Sequence, residues 1–403
     1  MFIRRELDIH LLTLLPITLF FPIGFMYAVL GLFLIAWLGK GDFAAKWARI
    51  RALSVMLPIL VGIAIVLLDA AFLSSENTRR WSGSVHYLIF IFFLVFVSTN
   101  GSDWQQRGKK MFFAGALYGA SIFFLAKLNL LPDWHIFKNY IAYAGNKSIS
   151  LGIFLSIAGA WMLHEAIRQE DRIRMLIYLA AYAFIATTVV LLATTRTGIL
   201  LMVVLSLLVL AFSMRSGPRA WFAAAALVCV LIVAWQYGSV AKQRMKETVE
   251  AVEALSQGQS GTGSANRLQF IDKTSEMIRE KPLLGHGIGS WQQQYPVRAQ
   301  GLETAQMSTP HNDYLLYAAE LGAVGILLLL WIYGTFIRSA FRLPKGQFLV
   351  PLLVLVSIIV GGLFNAILRD WRFGVPMMIL LAIAFGPASS KGNQVTADVE
   401  LHE

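Results

Sequence analysis

Ser308-Thr309-Pro310-His311-Asn312-Asp313-Tyr314-Leu315 is where the chain's one long polar segment ends and an apolar run begins. This junction decides the fold class. Beyond it, residues 312–336 are apolar over the roughly 20 positions a helix needs to cross a bilayer. Pro310 suits the start of a helix, because its missing N–H would be unpaired there. On that reading His311 lies on the first turn, at the boundary of membrane and water. A histidine there can take or give a proton near neutral pH.

Working outward, the same apolar pattern fills the rest of the chain. Of 403 residues, 57% are hydrophobic and only 14% charged, with a mean hydropathy of +0.64. A soluble protein carries nearer a quarter charged residues. Apolar runs recur throughout, and no alternating pattern of the membrane-barrel kind appears. The expected fold class is therefore all-α, a polytopic membrane protein. About twelve spans are expected, near 9–22, 24–38, 52–73, 83–99, 110–127, 149–167, 174–193, 198–214, 219–237, 312–336, 348–367 and 373–388. Domain organisation follows: 1–237 as transmembrane helices 1–9, 238–310 as a mostly helical outer segment, 311–390 as helices 10–12 and 391–403 as a tail. No cleavable signal peptide is expected, since the first apolar run has no clear small-residue cleavage site. Cys229 is the single cysteine, so no internal disulfide and no Cys-based metal site can form.

Lys and Arg set the expected orientation. With both termini in the cytoplasm, 18 of them fall on the inner side and eight in short outer loops. Long loops cross regardless of charge, so 238–310 is left out of this count and lands outside. The net charge of +11 points to anionic partners, although much of it is ordinary decoration of cytoplasmic loops. The outer basic residues are the ones this rule does not explain. They are Arg79, Arg80, Lys127, Lys138, Lys147, Arg196, Arg369 and Arg372. Asp69, His86 and Lys127 also fall near outer span ends, and polar groups at membrane depth are costly and often functional. Snorkelling and head-group anchoring are the competing reading.

Within the outer segment, residues 240–255 read as a helix and 256–264 as a flexible linker. Residues 265–280 read as an amphipathic helix with Leu268, Ile271 and Ile278 on one side and Ser264 as N-cap. Lys281-Pro282 ends it. Gly285-His286-Gly287-Ile288-Gly289 lacks the strand and βαβ unit of a nucleotide fingerprint. Tight turns and close packing suit these glycines better.

Several residues can carry chemistry. Thr194-Thr195-Arg196-Thr197-Gly198 is the whole connection between two spans, so Arg196 stays near the membrane surface. Its guanidinium presents a fork of donors matched to phosphate oxygens, with Thr195 and its neighbours adding hydroxyls. Arg267 is expected on the first turn of its helix, where free N–H groups and the positive end of the dipole also favour an anion. Arg369-Asp370-Trp371-Arg372 either adds phosphate contacts or neutralises itself through Asp370. His311 has no triad carboxylate, and no HExxH is present. General base work remains: taking a proton from a hydroxyl. Asp313, two residues on, is expected to point off another face. Glu320 lies within the span and is expected to pair with a buried donor.

On these residues the chain resembles the O-antigen ligase and polymerase superfamily of bacterial inner membranes. The likeness rests on the spans, the Thr195-Arg196 turn and a large late outer segment with Asn266-Arg267-Leu268 and Gly285–Gly289. It continues in His311-Asn312-Asp313-Tyr314 and Glu320-Leu321-Gly322. The resemblance to the ligases implies a GT-C-like glycosyltransferase. Glycan would move from undecaprenyl diphosphate to lipid A–core, with inversion and without metal or other cofactor. By position, Arg196 and Arg267, with Arg369, would bind the diphosphate, and His311 would activate the acceptor hydroxyl. Thr195, Asn312, Arg372 and Glu320 are further candidates. The implied partners are the lipid-linked glycan, lipid A–core and membrane lipids, with no nucleic acid. Polymerase, protein O-glycosyltransferase and lipid-linked sugar transporter are the alternatives.

Overall fold

The structure is a computed structural model. It describes residues 6–72, 86–99, 101, 103–132, 134, 147–193, 195–213, 221, 222, 224, 225, 227, 228, 232 and 263–399. Cys229, the helix expected over 240–255, nearly all of the linker, Arg79, Arg80, Lys138 and most of the span 219–237 lie outside them.

Regular structure among the described residues is helical. In chain order the helices are α1 (Leu7–Thr18), α2 (Ile23–Gly39), α3 (Phe43–Arg51), α4 (Met56–Phe72) and α5 (Phe90–Ser98). Next come α6 (Trp104–Lys127), α7 (Lys147–Arg168), α8 (Arg172–Thr187) and α9 (Arg196–Ser213). The outer segment supplies α10 (Gly263–Glu280) and α11 (Trp291–Arg298). The chain closes with α12 (Asp313–Phe341), α13 (Leu349–Gly362) and α14 (Trp371–Val399). Helices thus occupy the other expected spans, and the seven described residues of 219–237 are helical too. Five are long and apolar enough to cross a membrane, or six if α2 and α3, bent by 109°, count as one broken span. The other apolar helices are 10–17 residues long, so length alone does not establish twelve crossings.

The centre is α7. Of its apolar window, 83% is buried, the mark of a helix that is covered all round. It packs on α6, α8, α9 and α13. Around it α1 pairs with α2 and α6, while α14 packs on α5, α6 and α13. Lys40 pairs with buried Asp8 at 3.1 Å and Lys109 with Glu165 at 3.2 Å. Arg168 donates to the Gly346 carbonyl and Arg49 to that of Ser98. These basic residues gather at the end of the bundle opposite His311.

The outer segment docks on the start of α12. Phe270 and Met277 of α10, Trp291 and Tyr295 of α11 and Leu316 and Ala319 of α12 form a second core. This shifts the expected face of α10: Ile278 packs against this core, but Leu268 and Ile271 do not. Leu268 and Ile271 are 38% and 45% exposed, and the buried stripe is Phe270, Thr274 and Met277. The stacked Trp291 and Tyr295 rings, 4.3 Å apart, offer the larger apolar partner, and Phe270 takes it. The helix also starts at Gly263, so Ser264 lies inside it and Arg267 on its second turn. A glycine costs a helix only about 1 kcal/mol, which the packing of α10 on α12 outweighs.

Candidate active site

Three helix starts converge at one end of the bundle. Arg196 is the first residue of α9. The preceding helix unwinds into a π-helix over Thr188–Ala193, so the connection is shorter than the five residues expected. What holds it is the crossing of α7 and α9 at Gly152 and Gly198. A Cβ on Gly198 would come within 3.1 Å of the Gly152 Cα. Ser156 Oγ donates to the Gly198 carbonyl at 2.8 Å. Thr197 accepts a hydrogen bond from Asn365 Nδ2 at 3.1 Å. The first turn of α9 is thereby fixed against both α7 and the turn after α13.

That turn, residues 363–370, carries Arg369 and is held twice more. Asn312 Nδ2 donates to the Leu363 carbonyl at 2.9 Å. The buried Asp313 carboxylate accepts from the Leu368 N–H at 3.0 Å. Gly362 gives Asp313 its room, since a Cβ there would lie 3.1 Å from Oδ2. Arg369 thus sits two residues before α14 on a braced turn. Its Nε is buried with no hydrogen-bond partner among the described residues.

His311 sits two residues before α12. Asn312 is the N-cap, its side chain accepting from the Leu315 N–H at 2.9 Å. This corrects the expectation that His311 lies on the first turn. The cap side chain ends the helix before Pro310 can begin it. His311 instead takes a left-handed φ of 51°, with its N–H donated to Thr309 Oγ1 at 3.2 Å. Its ring meets that of Phe270 edge-on, at 5.7 Å. Phe270 lies on α10 three residues after Arg267, so α10 brings Arg267 to the imidazole.

The electrostatics tie the four groups together. Burial first, then the Arg267 and Arg369 guanidiniums, hold the His311 imidazole below its ordinary value of 6.5. Its neutral form therefore predominates at pH 7, able to accept a proton. Burial and the Arg196 charge likewise lower Arg267. Arg267 is half-buried and makes no ion pair among the described residues. Burial also lowers Arg369, and Glu320, Asp370 and Asp313 offset part of that.

Beneath this group the glycine-rich stretch is sewn into α12. The helix breaks at Gly322, with φ 62° and ψ −154°. The carbonyls freed at Ala319 and Glu320 accept from the N–H groups of His286 and Gly287, at 3.0 and 2.9 Å. The freed N–H groups of Ala323 and Val324 donate to Pro282 and Leu283, at 2.8 and 3.3 Å. A Cβ on Gly285 would lie 2.4 Å from the Glu320 carbonyl carbon, and one on Gly322 equally close to that of Leu283. Only glycine fits both sides. Asp69 accepts from the Ile288 N–H at 2.7 Å, and Glu320 pairs with His86 at 2.5 Å. Glu320 also accepts from the Trp291 N–H at 3.3 Å.

Four expected residues thus come together: Arg196, Arg267, His311 and Arg369. Of the other candidates, Asn312 and Glu320 have their polar atoms engaged elsewhere. The Thr195 hydroxyl is buried in the α7–α9 crossing, where a Cβ on Gly152 would lie 2.3 Å from it. Both ends of the Asn312 amide serve the cap and the 363–370 turn. Glu320 is wholly buried on His86, the buried donor that sequence reasoning left unnamed. Arg372 is exposed, and its charge is not among those acting on His311. Asp370 accepts from the Arg372 N–H at 2.9 Å and forms no ion pair with Arg369 among the described residues. Both His286 ring nitrogens are used, Nε2 donating to the Met277 carbonyl and Nδ1 accepting from Gln294. Asn365 was missed, because nothing in its local sequence separates it from any apolar-run asparagine.

The helices α8, α9, α10, α11 and half of α12, with the glycine stretch between them, are the framework of this site. Residues 181–330, which span that framework, match the O-antigen ligase family. The resemblance expected from the motifs is therefore shown over that region. It contains Arg196, Arg267 and His311, while Arg369 lies beyond it. Comparison with curated proteins gives no match. At the family level the O-antigen ligase match supports transfer of lipid-linked sugars in a multi-pass membrane protein.

Proposed function

We propose that the protein is a GT-C-like O-antigen ligase of the bacterial inner membrane. Both termini are cytoplasmic and the site faces the periplasm. It moves a glycan from undecaprenyl diphosphate to a sugar hydroxyl of lipid A–core. The observation that carries this reading is Arg267, a half-buried guanidinium without an ion pair among the described residues, drawn up to Arg196 and His311. Gathering like charges costs energy that a bound polyanion offsets. A lipid diphosphate supplies that anion at the membrane boundary.

In the proposed reaction His311 takes the proton of the acceptor hydroxyl. That oxygen attacks the anomeric carbon, from the side opposite the diphosphate, and the configuration inverts. The bond between that carbon and the diphosphate oxygen breaks, and the leaving group keeps its electron pair. Arg196, Arg267 and Arg369, with the N-terminal N–H groups of α9, stabilise the charge that develops there. On this reading no metal is required, because fixed guanidiniums do what a cation would.

Purified protein with lipid-linked glycan and lipid A–core tests this. Joined product is expected only when both substrates are present. His311→Ala should lower transfer by about 10²–10⁴-fold at unchanged expression, the usual contribution of a positioned base. Glycan lengthening without the core lipid selects a polymerase instead. Near-normal transfer by the His311 variant removes the base.

A further inference from the structure

A groove of ≈ 570 Å³ lies on the outer segment, next to the site but apart from its cations. Its walls are Gln292, Gln300 and Gln306 with Pro296, Leu302 and Met307, and no lining residue is ionisable. Helix geometry places it. Trp291 and Tyr295 pack at a tilt against Phe270, whose ring meets that of His311 edge-on. Gln292 and Pro296 are each one position further on, so they occupy the adjoining face of α11, about 100° round. The far wall runs straight to the imidazole along the chain. Gln292 Nε2 donates to the Ser308 carbonyl at 3.3 Å, and Ser308 is three residues before His311. The size suits a small ligand, in the range of about 300–1,000 Å³. The chemistry narrows it further. A phosphate would call for cations, and a cationic ligand for carboxylates. Primary amides pair with hydroxyls as both donor and acceptor, while proline, leucine and methionine suit the C–H faces of a sugar ring.

We infer that this groove binds a neutral saccharide stretch of one of the two glycan substrates, several ångströms from the reacting centre, and so selects which glycan is used. The inference rests on the glycosyl-transfer reading for its ligand, and is tested without relying on transfer.

Full-length protein is titrated with two probes lacking lipid and diphosphate: oligosaccharide of the donor's glycan, and deacylated core oligosaccharide. Gln300 and Gln306 are exposed, so Gln300→Ala/Gln306→Ala should fold as wild type. One probe should bind the wild type and His311→Ala equally. It should lose about tenfold in affinity with the double variant, the effect of two lost hydrogen bonds. Which probe does so identifies the substrate, and in transfer assays KM for that substrate should rise with kcat little changed. Unaltered binding of both probes by the double variant, or binding of neither probe to the wild type, overturns the groove. Absence of transfer by the wild type would instead defeat the reaction, leaving the groove to stand or fall on the titrations.

Discussion

At the scale of single residues, the His311 imidazole is the most informative group. Its lowered value follows from burial and from two neighbouring guanidiniums, so the sign of each perturbation is defined. In the free protein its charging midpoint should lie below 6.5. The acid limb of kcat/KM, which reports the free enzyme, should therefore lie under 6.5. Arg267→Gln removes one lowering charge and should move that limb upward. An NMR titration of the His311 ring checks the same shift without turnover; a limb that moves down contradicts the arrangement. Arg267→Gln should also cost about 10²-fold in kcat/KM, the loss typical of one transition-state donor. Arg196, Arg267, His311 and Arg369 were legible because a guanidinium or imidazole is costly to place at or near the end of an apolar run or in a short polar connection. Asn312 is committed differently: its short side chain caps α12 and braces the 363–370 turn, so the backbone engages both ends of its amide, while the buried Thr195 hydroxyl has no hydrogen-bond partner among the described residues.

At the scale of elements, α12 and the stretch Pro282–Gly287 behave as one unit. A membrane helix that breaks must have its freed backbone groups paired by protein. Here the glycine-rich stretch pairs four of them, and Asp69 and Glu320 hold the residues that follow it through the Ile288 and Trp291 N–H groups. Gly322→Ala forces a side chain into a backbone region open essentially to glycine alone. That costs about 1–3 kcal/mol before the collision with Leu283 is counted. The expected outcome is lower thermal stability in detergent and lost transfer; wild-type melting would show that the break is not required. Glu320→Ala should destabilise by about 3–5 kcal/mol, because it strands buried His86 and the Trp291 N–H. A variant that melts normally but cannot transfer would return Glu320 to the chemistry. The sequence signalled the glycines and the buried carboxylate, but not their pairing. Contacts between residues 282–287 and 319–324 are long-range, and no local periodicity encodes them. The shift in the covered face of α10 has the same origin: its apolar residues spread over about half the helix circumference, and Trp291 and Tyr295 decide which of them are covered.

At the scale of the whole molecule, two ends of one bundle carry different chemistry. One gathers Arg196, Arg267, His311 and Arg369. The other pairs its lysines and arginines with carboxylates and helix-end carbonyls. The proposed orientation puts the first outside, and single-cysteine variants in a Cys229→Ala background test it. A membrane-impermeant thiol reagent added to intact inner-membrane spheroplasts should label Gln300→Cys and spare Lys345→Cys. The reverse pattern would turn the site toward the cytoplasm. The helical, multi-pass class was legible from composition alone, since apolar length is a local property. The convergence of α9, α12 and α14 was not, since it depends on Gly152 meeting Gly198 and on Asn365 reaching Thr197. That convergence is the account's central claim, and a cryo-EM structure with undecaprenyl diphosphate bound tests it most directly. The diphosphate should lie between the Arg196, Arg267 and Arg369 guanidiniums, with the His311 ring facing the open side of the phosphorus-linked oxygen. Diphosphate density elsewhere on the protein, with these four side chains turned apart, would contradict it.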